Sequence, residues 1–486
     1  RHRTVGTGVR RVSDARIERL ALFGATGDLA GRLVLPALAR LLEAGELAPG
    51  FEVVGAARSD LDDDGFRRHA ADRLERHAAD ITADARRALV RALRYRRVDL
   101  ADAASVAAVI GAAVGDDARP VAAYLALPPA AFCPTVTSLA AAGLPPGSRI
   151  VVEKPFGEDL AGAIELNDLL ARVAGLAGED AVFRVDHVLG MPTVHNLLGA
   201  RLANRVLEPI WNGAHVEQVE VRWDETIALE GRAGYYDRAG ALRDVIQNHL
   251  LQVLCLVAME PPTSMTAAEL RRRKADLLRS VRIPTAGEAA ARTVRARYTA
   301  GTLAPPPQGE GTAVPDYVDE DGVDPARETE TYAEIVLEID DPRWAGTRFL
   351  LRAGKALDRR GKGVIVRFRP VSSLPFGPGT PAPPPNELRI GLDGPETFAL
   401  RLTGSDPGPP ARLADLTLDA ELPAHELPAY GHVLLSVLDG DGTLSIGGEE
   451  AERSWRIVTP FLDAWAAGDV PLQEYAAGST GPPHQL

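Results

Sequence analysis

The sequence predicts two folded domains of different class: an α/β domain built on a doubly wound parallel sheet, then an α+β domain with a large, mostly antiparallel sheet. Three observations carry this. Short, fully apolar segments alternate with helical ones over residues 18–183; a glycine-bearing turn follows the first of them; and segments further on alternate apolar with polar residues.

In chain order, residues 1–17 read as a flexible basic extension, because the opening RHRTVGTGVRRVSDARIE lacks the apolar stretch of a secretory leader. RLALFGAT then reads as a buried strand, and DLAGRLVLPALARLLEAG as a helix with apolar residues at helical spacing, ending at Gly45. FEVVGAAR, VAAYLAL and RIVVEKPF are further strands with helices between them, which completes a parallel sheet. In the second domain, residues 184–486, HVEQVEVRW, TYAEIVLEI, GVIVRFRP and ETFALRL alternate as half-buried antiparallel strands do. Residues 245–259 form a strongly apolar helix, and the proline-rich TLAPPPQGEG and SSLPFGPGTPAPPPNE read as solvent-facing loops.

Composition narrows the function. The 486 residues are 45% hydrophobic and carry a net charge of −13 with both signs interspersed, so no basic stripe for nucleic acid is present. No apolar run reaches the ~18 residues needed to span a bilayer. Cys133 and Cys255 sit among apolar residues, as inert core cysteines in a reducing cytoplasm do, and no metal-ligand pattern stands out.

Candidate chemistry lies where elements end. Gly24-Ala25-Thr26-Gly27-Asp28 joins the first strand to the first helix, where glycines let the backbone approach a pyrophosphate and helix N–H groups bind it. It is shorter than the full glycine fingerprint and equally compatible with an ordinary turn. Arg58 closes the second strand, a position where an arginine suits the 2′-phosphate of NADP and an acid would suit NAD. Glu153-Lys154-Pro155 ends a strand at the carboxyl edge, where a lysine can bind a substrate hydroxyl and a cofactor together. In RVDHVLGMP, Asp186 and His187 are adjacent in an apolar segment. His249 starts the buried face of the apolar helix and would serve as a general base if a carboxylate oriented it. In α-helical geometry Asp244 and His249 stand roughly 500° apart, off any common stripe. Arg352, Lys355, Arg359, Arg360 and Lys362 fall within eleven residues and read as a basic turn able to hold an anion.

Taken in order, these strings resemble the glucose-6-phosphate dehydrogenase family from about residue 20 to about residue 480. GATGDLA, AARS, YLALPP, EKPFGEDL, RVDHVLG, NRVLEPIWN, EGRAGYYDRAGALRDVIQNHLLQVLCLVAME, TETYAEI, RWAGTRFLLRAGKAL, SWRIVTPFLDAW and YAAGSTGP carry the resemblance. It implies a Rossmann-type coenzyme domain, a β+α domain with a dimer contact, and NADP-dependent oxidation of a sugar's C1 hydroxyl to the lactone. It further implies His249 as general base, oriented by Asp186; Lys154, His187, Glu225, Asp244, Lys355 and Arg360 at the sugar; and Gly24, Thr26, Gly27, Asp28, Arg58, Tyr124 and Lys154 at the coenzyme. The assembly it implies is a homodimer or a dimer of dimers, with a small sugar as substrate.

One stretch departs from the family pattern. Where that pattern resembles R-I-D-H-Y-L-G-K, whose His, Tyr and Lys hold the 6-phosphate, this chain has Val188 and Met191 in place of the Tyr and Lys. Losing one lysine contact of about 1.5–3 kcal/mol would weaken binding roughly 10- to 150-fold. The expected activity is therefore C1 oxidation of glucose 6-phosphate or a close analogue. The alternatives are a paralogue acting on a sugar without the phosphate or otherwise modified at C6, and a noncatalytic homologue.

Overall fold

The computed structural model describes residues 16–48, 50–231, 233–304, 311–376, 380–392, 397–406, 412–421, 427–483 and 485–486. All of the expected N-terminal extension but its last two residues lies outside them, as do parts of both proline-rich stretches. The chain divides into two compact units: Arg1–Glu153 with Glu165–Val185 and Tyr430–Ser445, and Lys154–Ile164 with Asp186–Ala429 and Ile446–Leu486.

The first unit is built on parallel strands β1 (Arg19–Phe23), β2 (Glu52–Ala57), β3 (Leu93–Arg97), β4 (Ala122–Leu125), β5 (Arg149–Glu153) and β6 (Val182–Val185), laid out β6-β5-β4-β1-β2-β3. The two-residue strand Ser445–Ile446 lies beyond β6. β4, β5 and β6 are buried along their whole length, which is why apolar residues dominate them, although Arg149, Glu153 and Arg184 are buried there too. β3 was not anticipated: it is LRYRR, an edge strand that buries Leu93 and Tyr95 and exposes Arg96 and Arg97.

The second unit carries a nine-stranded sheet. Its strands are β7 (Val216–Asp224), β8 (Thr293–Thr299), β11 (Tyr332–Leu337), β12 (Arg348–Gly354), β13 (Gly361–Phe368), β14 (Glu387–Gly391), β15 (Thr397–Asp406), β16 (Arg412–Glu421) and β17 (Leu472–Ala476); a separate hairpin pairs β9 (Gly301–Leu303) with β10 (Thr312–Val314). The order is β16-β15-β14-β13-β7-β12-β11-β8-β17. Only β7 with β12 and β8 with β17 run parallel, so the sheet is mostly antiparallel, as expected.

Two features of this unit position the site. β7 is flanked by β12 and β13, with Asp224 opposite Gly354 on one side and Gly361 on the other, so the segments that follow β7 and β12 converge with the one that precedes β13. The expected apolar helix is present but starts earlier: Leu242–Leu250 is π-helical and Leu251–Ala258 α-helical. Its C-terminal carbonyls are not left bare, since the indoles of Trp211 and Trp344 donate to Val257 O and Ala258 O, each at 2.8 Å. No helix among the described residues is long and apolar enough to cross a membrane.

Candidate active site

Asp186 directly follows β6 in sequence and caps the 3₁₀ turn His187–Gly190, where its Oδ1 accepts from Val188 N at 3.0 Å. His249 Nδ1 lies 2.5 Å from the same oxygen, while Asp186 Oδ2 has no hydrogen-bond partner among the described residues. Both side chains are almost completely buried. Burial alone would push the Asp186 carboxyl up; the imidazole of His249, then His187 and Lys154, hold it at about 2. The His249 ring is wedged between His187, edge-on at 4.7 Å, and Trp223 at 5.4 Å. The ligand atoms of Asp186, His187 and His249 lie within 4.8 Å of one another, a spacing a cation could use, with Asp186 Oδ1 and His249 Nδ1 the closest pair at 2.5 Å.

Asp244 and His249 belong to one cluster, which corrects the α-helical projection. Helix Leu242–Leu250 is π-helical, and its i→i+5 repeat brings residues five apart toward a common face. Lys154 Nζ donates to Asp244 O at 2.7 Å and to Oδ1 at 3.0 Å, and Tyr235 OH reaches the same oxygen at 3.3 Å. Burial opposes the charge on Lys154, yet Asp244 holds the ammonium above its ordinary value, and Lys154 in turn keeps the buried Asp244 carboxyl well below the carboxylate range.

The basic turn does not stay together. Arg352 lies on β12 and forms a two-pronged pair with Asp224 at 3.0 and 2.9 Å, and Arg359 is exposed beside Asp358. Lys355 and Lys362 instead turn inward onto Glu225: Lys355 Nζ is 2.6 Å from Oε2 and Lys362 Nζ 3.3 Å from Oε1. Against the upward push of burial, these two lysines hold the Glu225 carboxyl at about 2. Lys362 also sits over the Trp223 ring, 4.1 Å from its centroid. Trp223 was not among the expected site residues, although strand alternation puts it on the same face as Glu225; Lys362 was expected only as one member of the basic turn. His187 is half-buried; desolvation first, then the charges of His249, Lys154 and Lys362, lower its imidazole to about 3.

In the first unit, the turn after β1 is as tight as a phosphate loop requires. Gly24 has φ +78°, and a Cβ there would stand 2.1 Å from Ala126 O, so only glycine fits. Gly27 N closes the turn onto Gly24 O at 2.9 Å, and the helix begins beyond it, with Asp28 beside Arg32 at 3.5 Å. Thr26 Oγ1 lies 3.3 Å from Ser59 Oγ, next to Arg58. Arg58 is exposed and makes no ion pair among the described residues. Tyr124 is the exception among the expected coenzyme residues: it is fully buried and its hydroxyl donates to Glu153, so it presents no surface to a coenzyme.

The comparisons agree with this architecture. The family model described as glucose-6-phosphate dehydrogenase, NAD binding domain matches residues 21–196, and the one described as its C-terminal domain matches 198–485. The glucose-6-phosphate 1-dehydrogenase of Mycolicibacterium smegmatis is 37% identical over 95% of this chain and 93% of its own. That of Gluconobacter oxydans is 39% identical over 95% and 94%. Among solved structures, the glucose-6-phosphate 1-dehydrogenase of Mycobacterium avium superposes with a TM-score of 0.83 at 33% identity, covering 96% of each chain. A glucose-6-phosphate dehydrogenase in complex with its substrate glucose-6-phosphate gives the same TM-score at 29% identity, covering 97% of each. Two models that run almost end to end, with relatives more than a third identical along the same length, establish that the chain belongs to the glucose-6-phosphate dehydrogenase family.

Proposed function

We propose that this chain oxidises the C1 hydroxyl of glucose 6-phosphate to the 1,5-lactone with NADP. The observation that carries the reading is the buried Asp186–His249 pair at 2.5 Å, with Lys154–Asp244 and Lys355–Glu225 in the same unit. Asp186 faces Nδ1 of His249 and fixes the ring proton there, which leaves Nε2 as the base that takes the C1 hydroxyl proton. The negative charge of Asp186 then stabilises the imidazolium. Lys154, Asp244 and Glu225 orient the sugar hydroxyls, while Lys355, His187 and Arg360 serve its 6-substituent. Gly24, Thr26, Gly27, Asp28 and Arg58 fit NADP by a tight glycine turn and an exposed guanidinium, with Lys154 shared. When bound, NADP accepts the hydride from C1. In this reading residues 18–183 hold the coenzyme and 184–486 the sugar.

The test adds glucose 6-phosphate and NADP to the purified chain and follows absorbance of the reduced coenzyme. His249→Gln should lower kcat about 10²–10⁴-fold with little change in KM. No turnover at millimolar substrate, or a His249→Gln chain as fast as the parent, would sink the proposal.

Val188 favours a second reading, the same chemistry on a sugar lacking the phosphate. It is completely buried and its side chain carries no donor where the family pattern has a tyrosine. A panel of glucose, glucose 6-phosphate and C6-modified sugars decides between the two by kcat/KM.

We further propose a homodimer or dimer of dimers in a reducing cytoplasm. The free thiols Cys133 and Cys255 support the compartment, and Leu416 and Leu418, exposed on edge strand β16, support the assembly.

A further inference from the structure

We propose that Lys362, on β13, is the residue that selects for an anionic group at C6 of the sugar, replacing the donors that Val188 and Met191 do not provide. This rests on the function proposed above and names a specificity residue within it. Three observations carry it.

The first is register. Lys362 is the direct cross-strand partner of Trp223, so both side chains stand on one face of the sheet. That face is the one His249 occupies, 5.4 Å from the Trp223 ring. The second is connection. Lys362 O accepts from Leu392 N at 2.8 Å, and Leu392 O accepts from Thr193 Oγ1 at 3.0 Å. Two hydrogen bonds thus tie the backbone of Lys362 to the helix start two residues after Met191. The third is charge. Val188 is buried and apolar, and His187 is held neutral, so it can give a hydrogen bond but no charge. Lys355 and Lys362 bring two ammonium groups to the one carboxylate of Glu225.

The arrangement has a chemical logic. Glu225 holds the two ammonium groups apart and in place, one on each oxygen. A 6-phosphate, with roughly −1.5 to −2 charges at pH 7, competes with Glu225 for Lys362 and draws the ammonium off the indole of Trp223. A neutral hydroxymethyl group at C6 offers nothing for that exchange. The pocket therefore takes a sugar phosphate, even though two of the family's donors are missing.

The test uses the full chain and its Lys362→Gln and Lys362→Arg variants. Calorimetry measures binding of glucose 6-phosphate without coenzyme, and steady-state kinetics compares glucose 6-phosphate with glucose. Lys362→Gln should weaken glucose 6-phosphate binding about 10- to 100-fold, raise KM for it more than it lowers kcat, and lower kcat/KM for glucose 6-phosphate at least tenfold more than that for glucose; Lys362→Arg should recover part of the loss. The inference is overturned if Lys362→Gln binds glucose 6-phosphate within twofold of the parent, or if both sugars suffer equally, which marks a structural role. A parent chain that turns over glucose 6-phosphate while Lys362→Gln is unaffected sinks this inference alone. A parent chain that neither binds nor oxidises glucose 6-phosphate sinks the proposed substrate and this inference together.

Discussion

Arg58 is a charge with no carboxylate opposite it among the described residues. It closes β2, is exposed, and makes no ion pair among the described residues, whereas nearby Arg97 has Asp60 at 3.9 Å. An exposed guanidinium beside the Thr26–Ser59 hydroxyls suits a 2′-phosphate in two-pronged fashion. Arg58→Asp should therefore lower kcat/KM for NADP about 10- to 100-fold and raise the NAD:NADP preference by at least as much; equal losses with both coenzymes would show that Arg58 does not read the phosphate. Single residues of this kind were legible in the sequence because a strand end announces them. Pairings were not. Nothing in the order of residues links Glu225 to Lys362, since that contact arises from cross-strand register, and Tyr124 gave no sign that its hydroxyl would be consumed by Glu153.

The helix carrying Asp244 and His249 begins at a tightly built corner. Gly240, at φ +69°, leaves room for the carboxylate of Glu330, which a Cβ there would meet at 2.3 Å, and Glu330 Oε1 accepts from Leu242 N at 3.0 Å. Burial pushes the Glu330 carboxyl up to about 7 from its usual 4.5. Between those values the native state holds a proton that the unfolded chain has lost, so this group makes stability fall as pH rises through the window, by about 3 kcal/mol in all. Glu330→Gln should flatten that slope: melting temperatures of parent and variant measured from below pH 4.5 to above pH 7 should diverge, with the variant losing less. Parallel curves would mean that the carboxyl is ionised throughout. The apolar run announced this helix, but its π geometry was invisible, because a hydrophobic stripe buried on nearly all sides carries no clear period. β3 escaped for the opposite reason: an edge strand with three arginines has too little apolar signal.

At the scale of the molecule, a chain of net charge −13 binds two anionic ligands in the proposed reaction. It does so with a few cations placed locally, Lys154, Lys355 and Lys362, each held by a carboxylate. Edge strand β16 leaves Leu416 and Leu418 44% and 54% exposed, two residues apart on one face, a surface that a second copy would cover. Leu418→Asp should shift the chain toward monomer in sedimentation at micromolar concentration; an unchanged oligomer would place the contact elsewhere. The two fold classes and their order were readable because parallel and antiparallel strands differ in periodicity, but the strand order of the large sheet was not. That order has a consequence for how the enzyme comes into being. Glu225 meets Lys355 across 130 residues of chain, and β7 cannot settle between β12 and β13 until both have been made. Closing so long a loop is slow, so during refolding the sugar pocket is among the last parts to form, and catalytic activity should return after most of the helical signal has recovered.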